Sequence, residues 1–221
     1  MSRIAMVLGA TGLVGKAVTQ ELLRRGAWDE IRVLVRRPIG IKHPLLKQTI
    51  VDWEQLSRYR EQFQGVQVMF CCLGTTIKTA GSQSSFERVD LGYPLEAAAI
   101  AKEEGVRQLL AVSSIGADAK SRNFYSRTKG RAEEGLIAAG FHGLHLFRPS
   151  LLLGQRKEFR LGERVAARLM TALDFAMVGK AAKYKAIPGE TVARAMVNIS
   201  LAGTAGVHIY PNDVIHVIGK G

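Results

Sequence analysis

The chain has 221 residues, with 31 Lys plus Arg against 19 Asp plus Glu, a formal net charge of +12. That length suits one α/β domain, and 47% hydrophobic with 23% charged residues supply enough apolar surface to offset chain entropy, which excludes wholesale disorder. The positive field attracts phosphates on nucleic acid, on a membrane surface or on a nucleotide cofactor, and composition does not choose among the three. The two cysteines, Cys71 and Cys72, are adjacent, and a bridge between neighbours would be strained, so a secreted disulfide scaffold is excluded. Ile4 to Leu8 is far too short for a signal h-region, and no segment reaches the roughly 18 apolar residues of a membrane span. The expectation is a soluble, cytoplasmic protein.

Short apolar runs at Ile4 to Leu8, Ile31 to Val35, Val66 to Cys72, Leu109 to Ser113 and Leu144 to Phe147 read as buried strands. Leu13 to Arg25, Phe86 to Glu104 and Tyr125 to Ala139 read as helices between them, and Gly40 to Pro44 and Gly74 to Ser85 as surface loops. Strand and helix in alternation predict an α/β fold, a Rossmann-type doubly wound parallel sheet in a single domain spanning 1–221. Within it, 151–185 reads as a substrate-side insertion. Arg160 to Met177 carries Leu161, Val165, Leu169 and Leu173 in one stripe, facing the core or the second subunit of a homodimer. Arg160, Arg164 and Arg168 form a second stripe, either solvated or facing an anionic partner.

Gly9-Ala10-Thr11-Gly12-Leu13-Val14-Gly15 follows the first strand and opens the first helix. In that context Gly9 makes the tight turn, Gly12 lets backbone N–H groups approach a pyrophosphate, and Gly15 permits close helix–strand packing. The anion would sit at the helix N-terminus, over the backbone of Thr11, Leu13 and Val14. At the end of the second strand an acidic side chain would bond the adenosine ribose of NAD, but Val35 is followed by Arg36 and Arg37. Two guanidinium groups there suit a 2′-phosphate, which favours NADP(H) over NAD(H); the alternative is two solvated arginines. Asp52 either caps the following short helix or accepts from the adenine amino group. Leu73-Gly74-Thr75 ends the next strand with a glycine and a hydroxyl, where backbone can pass close to the cofactor. Cys72 reads as a buried small apolar residue more readily than as a reactive thiol.

Ser114 follows the strand Leu109 to Ser113, and eleven residues later stands Tyr125, followed at i+4 by Lys129. At that spacing phenol and ammonium share a helix face, and the positive charge favours ionisation of the phenol. A phenol so placed can exchange a proton with a carbonyl or alcohol oxygen as hydride moves to or from a nicotinamide, with Ser114 hydrogen-bonded to the same oxygen. His43, His142, His145, His208 and His216 show no metal-ligand spacing, so no metal is expected.

In this order, the glycine triplet, Ser114, Tyr125-x-x-x-Lys129 and Phe147-Arg148-Pro149-Ser150 resemble the short-chain dehydrogenase/reductase superfamily. Cys71 to Thr76, Arg88-Val89-Asp90, Ser113 to Asp118 and Asn123-Phe124-Tyr125 are similar, more narrowly, to the atypical branch of Tat-interacting oxidoreductase-like proteins. The resemblance implies a Rossmann domain holding NADP(H), Ser114, Tyr125 and Lys129 as the proton-transfer triad, and Lys129 also on the nicotinamide ribose. Arg148, Pro149 and Ser150 would lie near the nicotinamide, with serine where many relatives carry glycine.

The leading expectation is an NADP(H)-dependent oxidoreductase acting on a small-molecule carbonyl or alcohol. The alternative is a non-catalytic NADP(H)-binding regulatory or scaffold protein. Nucleic acid is not expected as a partner, because net charge is its only support.

Overall fold

The computed structural model describes residues 2–154 and 184–220. The helix expected at Arg160 to Met177, and most of the 151–185 insertion, lie outside them.

Seven parallel strands form the main sheet: β1 (Ile4–Leu8), β2 (Glu30–Val35), β3 (Leu46–Ile50), β4 (Val66–Cys71), β5 (Gln108–Val112), β6 (Gly143–Arg148) and β9 (Gly206–Pro211), in the order β3-β2-β1-β4-β5-β6-β9. Two short strands, β7 (Leu152–Leu153) and β8 (Ile187–Pro188), pair with each other. The expected doubly wound sheet is therefore present. β1 is buried at all five positions, as an apolar run must be when helices cover both faces of a parallel sheet. The edge strand β3, LKQTI, is mostly exposed, and the other edge strand, β9, exposes Val207 and Ile209 while His208 and Tyr210 are half-buried.

On one face α1 (Leu13–Arg25), α6 (Gly189–Ala202) and α7 (Asn212–Ile218) cover Val7, Val33, Phe70, Leu110 and Phe147. In α1 the buried stripe is Val14, Val18 and Leu22, the i, i+4, i+8 spacing of one helix face. On the other face α4 (Tyr93–Glu103), α5 (Phe124–Ala138) and a 3₁₀ stretch, Trp53–Phe63, cover Met6, Leu34, Met69, Leu109 and Leu146.

Two loop and helix readings need correction. The segment Gly74 to Ser85 carries two short helices, α2 (Ile77–Ala80) and α3 (Gln83–Glu87), capped by Thr76 and Ser82, whose hydroxyls accept from Thr79 N and Ser85 N. The helix expected over Phe86 to Glu104 is interrupted by a wide π turn, Arg88–Gly92, before α4. A π turn adds a residue to the helical repeat, which re-aims the side chains that follow. Asp90 lies within it.

Candidate active site

The strand order reverses between β1 and β4, and in open parallel sheets ligands lie beyond the carboxyl ends of the strands at such a point. Every candidate residue lies near that end. Gly9 has φ +81°, and a Cβ there would lie 2.5 Å from the Cys72 carbonyl oxygen, so conformation and space both require glycine. A Cβ on Gly15 would lie 2.2 Å from the Gly9 carbonyl oxygen; its absence lets α1 start directly against the loop. Gly12 caps α1 without a side-chain hydrogen bond, and the first turn holds no acidic residue. The N–H groups of Leu13, Val14 and Gly15 thus present an uncompensated positive end beside exposed Thr11 and Gly12. This cradle fits a pyrophosphate. The Leu13 side chain turns the other way and is wedged between Gly154 and Gly189, where added Cβ atoms would lie 2.2 Å from its Cδ1 and 2.7 Å from its Cγ.

Arg36 and Arg37 follow β2, both exposed and without an ion pair among the described residues. Val51 N donates to the Val35 carbonyl at 2.9 Å, which sets Asp52 beside the same strand end. Asp52 Oδ1 accepts from Glu54 N at 3.0 Å and Oδ2 from Gln55 Nε2 at 2.9 Å. Its capping role is therefore filled within the chain.

Asn123 opens α5 by accepting from Ser126 N at 3.0 Å, which fixes Tyr125 in the first turn and Lys129 one turn later. Gly130 lets the loop after β5 press onto this helix, since a Cβ there would meet Ala119 N at 2.0 Å. Tyr125 is half-buried, with its ring 5.6 Å from that of Phe86. Ser114 is also half-buried and donates to the Ile115 carbonyl at 3.2 Å.

Lys129 is 6% exposed. Its Nζ lies 2.7 Å from Asp90 Oδ1, and Asp90 Oδ2 accepts from Thr75 N at 2.8 Å. A Cβ on Gly74 would sit 3.4 Å from that carboxylate and 3.8 Å from Nζ, so the glycine leaves the ion pair open to the β4 loop. Burial opposes the charge on Lys129, but the Asp90 carboxylate and the Tyr125 phenol outweigh it and hold its pKa above the ordinary lysine value. Cys71, beside the pair, is pushed up to about 11 by burial, and burial pushes Cys72 well above the usual thiol range. Both shifts favour the neutral thiol over the thiolate.

The residues after β6 are committed to contacts within the chain. Arg148 pairs with buried Glu133 on α5, which raises its pKa. The Pro149 carbonyl accepts from Ile115 N at 2.9 Å. Ser150 N donates to Asn212 Oδ1 at 3.0 Å, and its hydroxyl donates to the Lys185 carbonyl. The Ile115–Pro149 bond ties the ends of β5 and β6 next to Ser114, while the bonds of Ser150 tie the segment after β6 to Asn212 of α7 and to Lys185 before β8.

The model of a family described as NAD(P)H-binding matches residues 9–151, from the first glycine of the loop to the residue after Ser150. The chain belongs to this family. HTATIP2 of Rattus norvegicus is 35% identical over 99% of this chain and 90% of its own length, and the mitochondrial protein FMP52 of Debaryomyces hansenii is 30% identical over 89% and 87%. The chain thus aligns with both relatives over most of its length. Among solved structures, MoeE5 in complex with UDP-glucose and NAD superposes with a TM-score of 0.71 at 16% identity, covering 93% of this chain and 74% of that one. The Bordetella bronchiseptica enzyme WbmH in complex with NAD+ gives 0.70 at 15%, covering 95% and 75%. At such identities the likeness establishes the NAD(P)H-binding fold.

Two further residues belong to the site, Asp90 and Glu133. Asp90 falls in the Arg88-Val89-Asp90 motif, and its place in line with the apolar positions Phe86, Pro94, Ala97 and Ala101 is the sequence signal that it faces inward. Glu133 lies one turn after Lys129 and is slightly more buried.

Proposed function

We propose that the protein is an NADP(H)-dependent oxidoreductase that interconverts a small carbonyl compound and its alcohol. The observation that carries this reading is the Lys129 ammonium, kept charged in a buried place one helical turn from Tyr125 and open at Gly74 to the loop beyond β4. A charge that costly to bury, at the strand ends where this fold binds its ligand, is characteristic of a functional site.

The bound nicotinamide would supply or accept the hydride. The first turn of α1 would hold the pyrophosphate through backbone N–H groups, and Arg36 and Arg37 would pair with the 2′-phosphate. Tyr125 would give its proton to the carbonyl oxygen in reduction and take one from the alcohol in oxidation, with the Lys129 ammonium one helical turn away and Ser114 orienting the oxygen. Asp52, already used as a cap, retains a lone pair for the adenine amino group.

Calorimetry with NADPH and NADH, followed by a screen of aldehydes and ketones for loss of the reduced-nicotinamide absorbance, tests the reading. Tighter NADPH binding and turnover of at least one carbonyl are expected. Binding without turnover across a broad screen would favour a non-catalytic cofactor-binding role.

A further inference from the structure

Asp90 touches two parts of the site at once. One carboxylate oxygen holds Lys129 Nζ at 2.7 Å and the other holds the Thr75 amide at 2.8 Å. Both charged side chains are almost wholly buried, at 8% and 1% exposure. The carboxylate reaches this place because the π turn at Arg88–Gly92 turns Asp90 into the space between β4 and α5. Ser113, whose buried hydroxyl has no hydrogen-bond partner among the described residues, lines the same small cavity with Cys71 and Leu73.

We propose that Asp90 is a positioning residue, a clamp that joins the cofactor loop after β4 to the lysine of α5 and keeps that lysine cationic for Tyr125 and the nicotinamide ribose. The proposal rests on the oxidoreductase reading for its purpose but not for its test. An isolated ammonium in so dry a place would lose its proton, because desolvation disfavours the charged form. The titratable groups facing it are Asp90 from the π turn, Tyr125 and Glu133 from α5, and Cys71 from β4. Cys71 is a neutral thiol and Glu133 is held by Arg148, so Asp90 is the anion assigned to Lys129. The same carboxylate fixes the Thr75 amide, so a cofactor that shifts the loop also shifts the counter-ion of the lysine.

Asp90→Asn separates the two roles. The amide oxygen can still accept from Thr75 N, while the amide nitrogen faces the ammonium with a donor and no charge. Lys129 in the whole protein, without cofactor, is titrated by ¹⁵N and ¹³C side-chain resonances, assigned by their loss in Lys129→Met. The midpoint is expected to fall by about one pH unit or more in Asp90→Asn and to return in Asp90→Glu, which restores the charge. In calorimetry, NADPH affinity of Asp90→Asn is expected to weaken as pH rises through the new midpoint, with the parent unchanged over that range. An unshifted Lys129 midpoint in folded Asp90→Asn overturns the proposal. Should that variant not fold, the parent decides alone: Lys129 titrating at or below the ordinary lysine value of about 10.4 overturns it, and titration above that value supports it. If the parent binds no NADPH, the oxidoreductase reading fails while the titration still reports on the clamp.

Discussion

Arg148 donates from Nε to Glu133 Oε1 at 2.9 Å and from a terminal nitrogen to Glu133 Oε2, so strand β6 and helix α5 are tied by a two-pronged ion pair. The partners are unequally sheltered, with Arg148 at 31% side-chain exposure and Glu133 at 6%. Loss of the cation leaves a buried carboxylate unpaired, whereas loss of the anion leaves a guanidinium that reaches water. Arg148→Met is therefore expected to cost about 3 to 5 kcal/mol, and Glu133→Gln distinctly less, measured by urea unfolding. Equal costs would show that shelter does not govern this pair.

Arg36→Ala with Arg37→Ala removes two exposed cations that have no ion pair among the described residues, so the melting temperature is expected to hold. NADPH affinity should fall by about 1 to 3 kcal/mol, the size of charge-assisted hydrogen bonds, with NADH affinity nearly unchanged. Competitive calorimetry reads both. An unaltered NADPH-to-NADH ratio would remove these residues from the cofactor site.

Tyr125→Phe deletes one oxygen and leaves the ring against Phe86. Fold and NADPH affinity should persist while kcat for a carbonyl substrate drops by roughly 10²-fold or more, the usual size of a general acid–base contribution. Turnover at the parent rate would assign proton transfer elsewhere.

His145 is wholly buried, stacked on His208 with ring centroids 5.2 Å apart, and its Nδ1 lies 3.0 Å from the Tyr210 hydroxyl. Burial, with His208 alongside, lowers its pKa to about 4. The unfolded chain therefore takes up this proton near the ordinary value of about 6.5, above the folded value. Stability is full above that ordinary value and declines as pH falls toward 4. Urea midpoints measured across this interval should decrease in the parent and decrease less in His145→Phe. Parallel slopes would exclude His145 as the source.

Much of this architecture is legible from local pattern. The first-strand run, the glycine triplet and the Leu13–Arg25 periodicity lie within one stretch of chain, and Tyr125 and Lys129 share a helix turn, so spacing alone sets their geometry. The remainder depends on contacts between distant segments. Nothing near Asp90 announces Lys129, because the two residues are far apart in the chain and meet only where the π turn packs against α5. The pairing of Arg148 with Glu133 across the strand–helix interface likewise joins distant segments, and no local spacing shows it. The edge strand β3 escapes the apolar criterion because Lys47 and Gln48 face water, and β9 because its more sheltered positions are His208 and Tyr210 while Val207 and Ile209 are exposed.

Leu13 belongs to the nucleotide loop, yet its side chain is gripped by Gly154 and Gly189, which stand on either side of segment 155–183. Both glycines are thus packed against the cofactor cradle rather than against the sheet edge. A side chain at either would push Leu13 outward, so even an alanine at a position far along the chain reaches the loop that opens α1.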